Sequence, residues 1–249
     1  MKRLAVFCLW PVAILLVLSF AQGWLWPSLF PQQFALRAWK YVLQQIAPPL
    51  TTSLSLAITV SVLSTLIALP AGRVLAKHSL PGKNFLLWLL CLPMLSPPLA
   101  SAMGIHKLFL HYGLTDQWIG VMLVHLIPSV PYAVVTIMSS FSKLDVDLES
   151  QARTLGASNE QVWRHITLPA IAPGIALAAS LSFIISWSQY LLTVLTGGGR
   201  IVTVPIVLVG FERSGDTAVA AAMALVLMLP PALLFFITSI WMRENRVLD

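Results

Sequence analysis

Long apolar runs are what most restrict this chain. Six stretches, at about 4–25, 51–76, 84–110, 117–141, 171–195 and 217–242, each hold roughly 20 or more mostly uncharged residues. At 1.5 Å of rise per residue, about 20 residues of helix cross the roughly 30 Å hydrocarbon core of a bilayer. No water reaches that core, so the backbone must bond to itself, and helices do this within one segment. The runs therefore predict an all-α polytopic protein with six transmembrane helices. A chain of 249 residues that is 58% hydrophobic and 10% charged lacks the polar surface to cover a soluble globule. Its net charge of +6 does not point to nucleic acid, because the basic residues sit singly at the ends of apolar runs and form no stripe.

Those basic residues set the orientation. With both termini on one side, ten Lys and Arg fall there (Lys2, Arg3, Arg73, Lys77, Lys83, Lys143, Arg153, Arg164, Arg243, Arg246) and five on the other (Arg37, Lys40, Lys107, Arg200, Arg213). The positive-inside bias makes the termini and the polar stretch 145–169 cytoplasmic. The first run has two readings. Lys2-Arg3, an apolar core and small Ser19 and Ala21 resemble a secretory signal. Continuation through Trp24, Leu25 and Trp26 suits an uncleaved anchor with interfacial aromatics. In the second reading 27–49 lies outside, with an amphipathic surface helix at 34–46. Residues 1–50 then form an N-terminal span with its outer segment, and 51–249 form the core domain.

The chemistry is narrowed by what the runs omit. All nine acidic residues fall in loops or at termini, which argues against an ion-coupled carrier. Gly197-Gly198-Gly199-Arg200 lacks the spacing and the Lys of a phosphate-binding loop, and no G-x-S-x-G elbow or paired carboxylates suggest an intramembrane enzyme. Cys8 and Cys91 lie in apolar runs without metal-ligand spacing, and the five histidines form no metal pair, so no catalytic or metal site is expected. His125 stands deep in the fourth run. It reads either as a pathway or relay residue, or as a neutral imidazole bonded between helices.

The polar stretch carries the clearest local signals. Residues 148–155 favour helix, and Gly156 can take the left-handed conformation that ends one. Ser158 with Gln161 three residues on makes a capping box opening a second short helix, which Thr167-Leu168-Pro169 is expected to stop. Apolar Val162 and Trp163 on that helix call for cover, either by another protein or by lipid headgroups.

These residues reach a known pattern. Ala152, Gly156, nine residues, then Ile166, Leu168 and Pro169 resemble the EAA motif (Glu-Ala-Ala, three residues, Gly, nine residues, Ile-x-Leu-Pro) of permease subunits of binding-protein-dependent ABC importers. Ser150 and Gln151 depart from the motif's first two positions, and Glu149 falls one residue early. The similarity runs from about Thr51 to the C-terminus through Thr51-Thr52-Ser53-Leu54, Leu69-Pro70-Ala71-Gly72, Pro81-Gly82-Lys83, the prolines at 93, 97 and 98, Trp187-Ser188-Gln189-Tyr190 and Arg213-Ser214-Gly215-Asp216. It is closest to the branch handling polyamines, thiamine, ferric iron and aminoalkylphosphonates.

The resemblance implies a type I importer permease with six spans in the bacterial inner membrane. It implies pairing with a second, distinct permease chain, docking of a periplasmic solute-binding protein, and an ABC ATPase dimer that holds ATP and Mg; this chain binds no cofactor. The loop at about 142–169 would be the coupling element, through Glu149, Ala152, Gly156, Ala157, Ser158, Gln161, Val162, Trp163, Ile166, Leu168 and Pro169. For the path, Pro93, Pro97, Pro98, Pro128 and Pro131 break or bend the third and fourth spans, and His125, Ser182, Ser188, Gln189, Tyr190 and Thr193 offer polar groups. They either line a route for a small cationic or zwitterionic solute or bond neighbouring helices. A polytopic membrane enzyme or an ion-coupled carrier are the competing classes.

Overall fold

A computed structural model describes residues 2–22, 24, 31 and 33–246, with the side chains at 2–9, 98, 146 and 241–246 outside the description. Among the described residues the order is α1 (Lys2–Phe20), β1 (Ala21–Gln22), β2 (Gln33–Phe34), α2 (Arg37–Gln45), α3 (Ala47–Lys77), α4 (Lys83–Leu95), α5 (Pro98–His111), α6 (Trp118–Lys143), α7 (Val146–Thr154) and α8 (Asn159–Val162). A π-helical segment (Trp163–Thr167), α9 (Leu168–Trp187), α10 (Leu191–Gly197), α11 (Val204–Ser214) and α12 (Thr217–Arg246) follow.

Helices α3, α6 and α9 pack on one another to form the centre. At the end nearest the 145–169 loop, Ala68 and Leu75 of α3 meet Ala133, Ile137 and Phe141 of α6 and Ile171 and Ala178 of α9. Small residues let the backbones approach. A Cβ on Gly72 would come 2.7 Å from Ile137 Cγ2, so only glycine fits that crossing. At the other end α2, Trp187, Val204 and Met223 form a second cluster, and α1 lies along α12.

Among the described residues four helices are long and apolar enough to cross a membrane: Ala47–Lys77, Trp118–Lys143, Asn159–Trp187 and Thr217–Ile240. If the bent pair α4–α5 counts as one span the number is five, against the six expected. The 84–110 run is two helices, α4 and α5, meeting at 99°. Pro97 and Pro98 remove two successive N–H donors, and each pushes its predecessor out of helix: Ser96 has ψ 145° and Pro97 ψ 123°. The 171–195 run ends at Trp187, and the chain opens at Ser188–Tyr190 before α10. Residues 4–25 were expected as one run, but α1 stops at Phe20, where β1 pairs antiparallel with β2 (Ala21 opposite Phe34). Leu25 and Trp26 lie outside the described residues. The expected bend at Pro128 and Pro131 does not interrupt α6, which continues through both.

The segment before α3 is built into the rest. The Trp39 indole donates to Ser19 Oγ (3.2 Å), and Arg37 Nη2 donates to both carboxylate oxygens of Asp216 (2.7 and 2.9 Å). Asp216 Oδ1 also accepts from the Val219 N–H (3.3 Å), capping α12, so one carboxylate joins two helices.

Helix α12 contains Pro230 and Pro231 yet stays helical. Pro231 has no N–H for the carbonyl of Leu227 four residues earlier, and the Trp187 indole donates to that oxygen instead (2.8 Å). Trp187→Phe should therefore cost about 0.5–2 kcal/mol, read as a lower thermal midpoint in detergent. Restoring the missing donor with Pro231→Ala should lessen the cost of the same Trp187→Phe change by the hydrogen-bond share, about 1 kcal/mol, and leave the packing loss of the buried ring.

Candidate functional site

The 142–169 region is organised by bonds a few residues long. Asp145 Oδ1 accepts from the Asp147 N–H (3.0 Å) and caps α7. At the other end of α7 the Gly156 N–H donates to Arg153 O and the Ala157 N–H to Ala152 O, both at 3.0 Å. This paired closure puts Gly156 at φ 89°, where a Cβ is costly. Ser158 Oγ accepts from the Gln161 N–H (3.3 Å) while Gln161 Oε1 accepts from the Ser158 N–H (2.8 Å), completing a capping box on α8.

Pro169 was expected to end the second helix, and it does not. From Asn159 to Trp187 the chain is one helical rod of 29 residues, with a π turn at Trp163–Thr167 in which the Leu168 N–H reaches Trp163 O. An α turn would press the Pro169 ring against the carbonyl of His165; the wider π turn relieves that contact and spares the bond proline cannot make. The short helix is thus the first turns of the rod that becomes α9.

Two apolar residues expected at the surface face inward. Val162 is 2% exposed, and the Trp163 ring stacks on Phe141 (centroids 6.4 Å apart, 23° between planes) beneath the Arg73 guanidinium (5.0 Å). What projects outward is Leu155, 88% exposed at the crest of the Gly156 turn. Beside it a shallow cleft of about 420 Å³ is lined by Leu155, Gly156, Ala157, Gln161, Val162, His165 and Ile166. Leu168 and Pro169 are exposed on the rod just beyond.

Glu149 also turns inward, at 8% exposure. Thr167 Oγ1 donates to its Oε1 (2.8 Å), and Arg73 Nη2 lies 3.9 Å from its Oε2. Neither Arg73 nor Thr167 stood out in the sequence as a site residue. Arg73 read as one of the topology-setting cations and Thr167 as part of a helix stop.

The polar residues of the second candidate group separate. His125 of α6 is fully buried, its Nδ1 2.8 Å from Ser186 Oγ on α9 and its Nε2 2.9 Å from Thr193 Oγ1 on α10. Thr193 spends its single proton on Gln189 O (2.9 Å), so it accepts from His125 Nε2–H, and Nδ1 in turn accepts from Ser186. This is the interhelical imidazole, with both nitrogens taken by hydroxyls of the same chain. Ser186 gave no signal of its own in the sequence. Ser188 is exposed and returns its hydroxyl to Ile184 O (2.8 Å). Gln189 and Tyr190 lie half-buried at the break between α9 and α10. Ser182 is fully buried, and its Oγ has no hydrogen-bond partner among the described residues. Pro97 and Pro98 stand at the α4–α5 bend, whose α5 packs on α10. Among the described residues no three His, Cys, Asp or Glu side chains cluster as metal ligands.

Comparison with known proteins fits this architecture. Residues 68–243 match the model of the binding-protein-dependent transport system inner membrane component family. The trehalose transport system permease protein SugB of Mycobacterium tuberculosis is 28% identical over 73% of this chain and 68% of its own length. The spermidine/putrescine transport system permease protein PotC of Escherichia coli K12 is 25% identical over 94% of this chain and 89% of its own. A crystal structure of a bacterial ABC transporter involved in the import of the acidic polysaccharide alginate has a chain of the same fold, with TM-score 0.66, covering 96% of this chain and 92% of that one at 19% identity.

The capping box is local enough to test alone. Replacing both Ser158 and Gln161 by Ala should cost about 1 kcal/mol at the start of the rod. Amide exchange at residues 159–163 should then quicken about fivefold, measured by mass spectrometry, with α3 and α6 unchanged.

Proposed function

The chain belongs to the binding-protein-dependent transport system inner membrane component family, and from that premise we propose that its 142–169 loop seats on the ATPase of an importer while its helices form half of a solute path. As a permease subunit of an ABC importer it is a multi-pass membrane transport protein and not an enzyme. In the proposed assembly it sits in the bacterial inner membrane beside a second, distinct permease chain. A periplasmic binding protein delivers solute, and an ATPase dimer on the cytoplasmic side holds ATP and Mg.

One observation carries the coupling role. The most exposed large apolar side chain among the described residues, Leu155, sits not on a lipid-facing helix but on a polar loop, held by a left-handed glycine and a capping box. A rigid apolar knob beside a cleft is the form of a docking element, since a fixed shape loses little entropy on binding. The rod of 29 residues running from this loop into the core gives docking a mechanical consequence. ATP-driven movement of the partner would shift the rod and with it the balance between inward- and outward-open states.

For the solute we propose a small cationic compound of polyamine type. The relative aligned over 94% of the chain is named for spermidine and putrescine, and Ser188, Gln189 and Tyr190 offer neutral polar groups at a helix break. The relatives' names also include a disaccharide, so the solute is a matter for direct measurement.

Gly156→Val forces a β-branched residue to φ 89°, at a cost of about 1–2 kcal/mol. The variant should reach the membrane at normal levels and lose most uptake per ATP hydrolysed in proteoliposomes carrying the full complex. Wild-type coupling in that variant would remove the proposed role. In the same system, labelled spermidine should enter and be displaced by excess putrescine but not by trehalose; the reverse order of competition would reject the polyamine assignment.

A further inference from the structure

The loop's acidic residue stands one position before the place where the EAA pattern carries Glu. One residue of α-helix is a rotation of about 100°. At position 150 the side chain points outward: Ser150 is exposed and donates its hydroxyl to Asp147 O (2.9 Å). At position 149 it points at the core. A carboxylate moved from the outside of α7 to its inside needs new partners, because burying it unpaired is costly.

Those partners come from two other elements. Glu149 Oε1 accepts from the hydroxyl of Thr167, the last residue of the π segment, which is fully buried. Glu149 Oε2 faces Arg73 of α3 at 3.9 Å, a distance that makes a Coulombic pair and not a hydrogen bond. The Arg73 guanidinium lies over the ring of Trp163 at 5.0 Å, and that ring stacks on Phe141 of α6. One carboxylate thus reaches the helix before the Gly156 turn, the helix after it and a central span.

We infer that Glu149, Thr167 and Arg73 form an internal latch that makes the two arms of the coupling loop and the end of α3 move as one piece, with Glu149 a positioning residue and not a contact to the ATPase. This rests on the coupling role proposed above. Without the latch, the Gly156 turn would let α7 and α8 pivot about each other, and motion imposed on the knob would be absorbed there. With it, the same motion passes through Arg73 into α3 as well as along the rod into α9.

The test uses the assembled complex in nanodiscs, with binding protein and ATPase present, and reads three quantities: ATPase subunit retained, ATP hydrolysed and solute taken up. Glu149→Gln keeps an acceptor for Thr167 but removes the charge facing Arg73. Thr167→Val removes the donor at nearly constant volume, and Thr167→Ser restores it. The latch requires that Glu149→Gln and Thr167→Val retain the ATPase at the wild-type ratio yet lower uptake per ATP about tenfold, and that Thr167→Ser recover it. On an Arg73→Met background, Glu149→Gln should add little further loss.

Release of the ATPase by Glu149→Gln would overturn the inference by showing a direct contact, and wild-type uptake per ATP in both Glu149→Gln and Thr167→Val would overturn it by showing a purely structural bond. Should Glu149→Gln fail to fold, the Thr167 pair decides alone: equal coupling in Val and Ser sinks the latch. Failure of the coupling role itself looks different, since then the wild-type complex retains no ATPase.

Discussion

Backbone groups inside hydrocarbon cannot turn to water, and most of this structure's unusual features are answers to that constraint. At several departures from plain helix a side chain completes the bonding. Trp187 fills the carbonyl of Leu227 that Pro231 leaves open. Ser53 of α3 accepts from the Val204 N–H at the start of α11 (2.9 Å), where a first-turn donor has no partner within its own helix. Thr193 occupies the Gln189 carbonyl at the α9–α10 break and is held by His125, which is held by Ser186. Many polar residues of the runs are therefore spent on backbone groups.

The same constraint marks what the sequence could reveal. Length and apolarity place α3, α6 and α12 within a few residues of where they lie, because a run that must cross hydrocarbon has one economical conformation. Proline is harder to read. Pro97-Pro98 breaks a run while Pro230-Pro231 does not. The dipeptide is identical; at the second place a tryptophan about forty residues earlier in the chain supplies a donor. No local pattern encodes that, since the partner arrives only through packing.

The loop shows the same division at smaller scale. The glycine turn and the Ser158–Gln161 box rest on bonds spanning three to five residues, so residue order alone predicts them. Which way Val162, Trp163 and Glu149 face depends on where α3 and α6 lie, and here the outward reading fails. Pro169 misleads for a related reason. It forbids one α-helical bond but not helix as such, and a single π turn absorbs the conflict.

That turn has a mechanical result. Had the helix stopped at Thr167, the loop would hang from α9 by a flexible joint, and displacement at Leu155 would dissipate in it. Because it continues, the rod from Asn159 to Trp187 is about 43 Å long at 1.5 Å per residue. Its far end carries the indole that grips α12, one residue before the chain opens at Ser188. In the proposed coupling role, a tilt at the loop would be delivered beside the break, where Gln189 and Tyr190 sit and where His125 ties α6 to α9 and α10. The break thus lies at the end of the rod, between the helices that His125 joins.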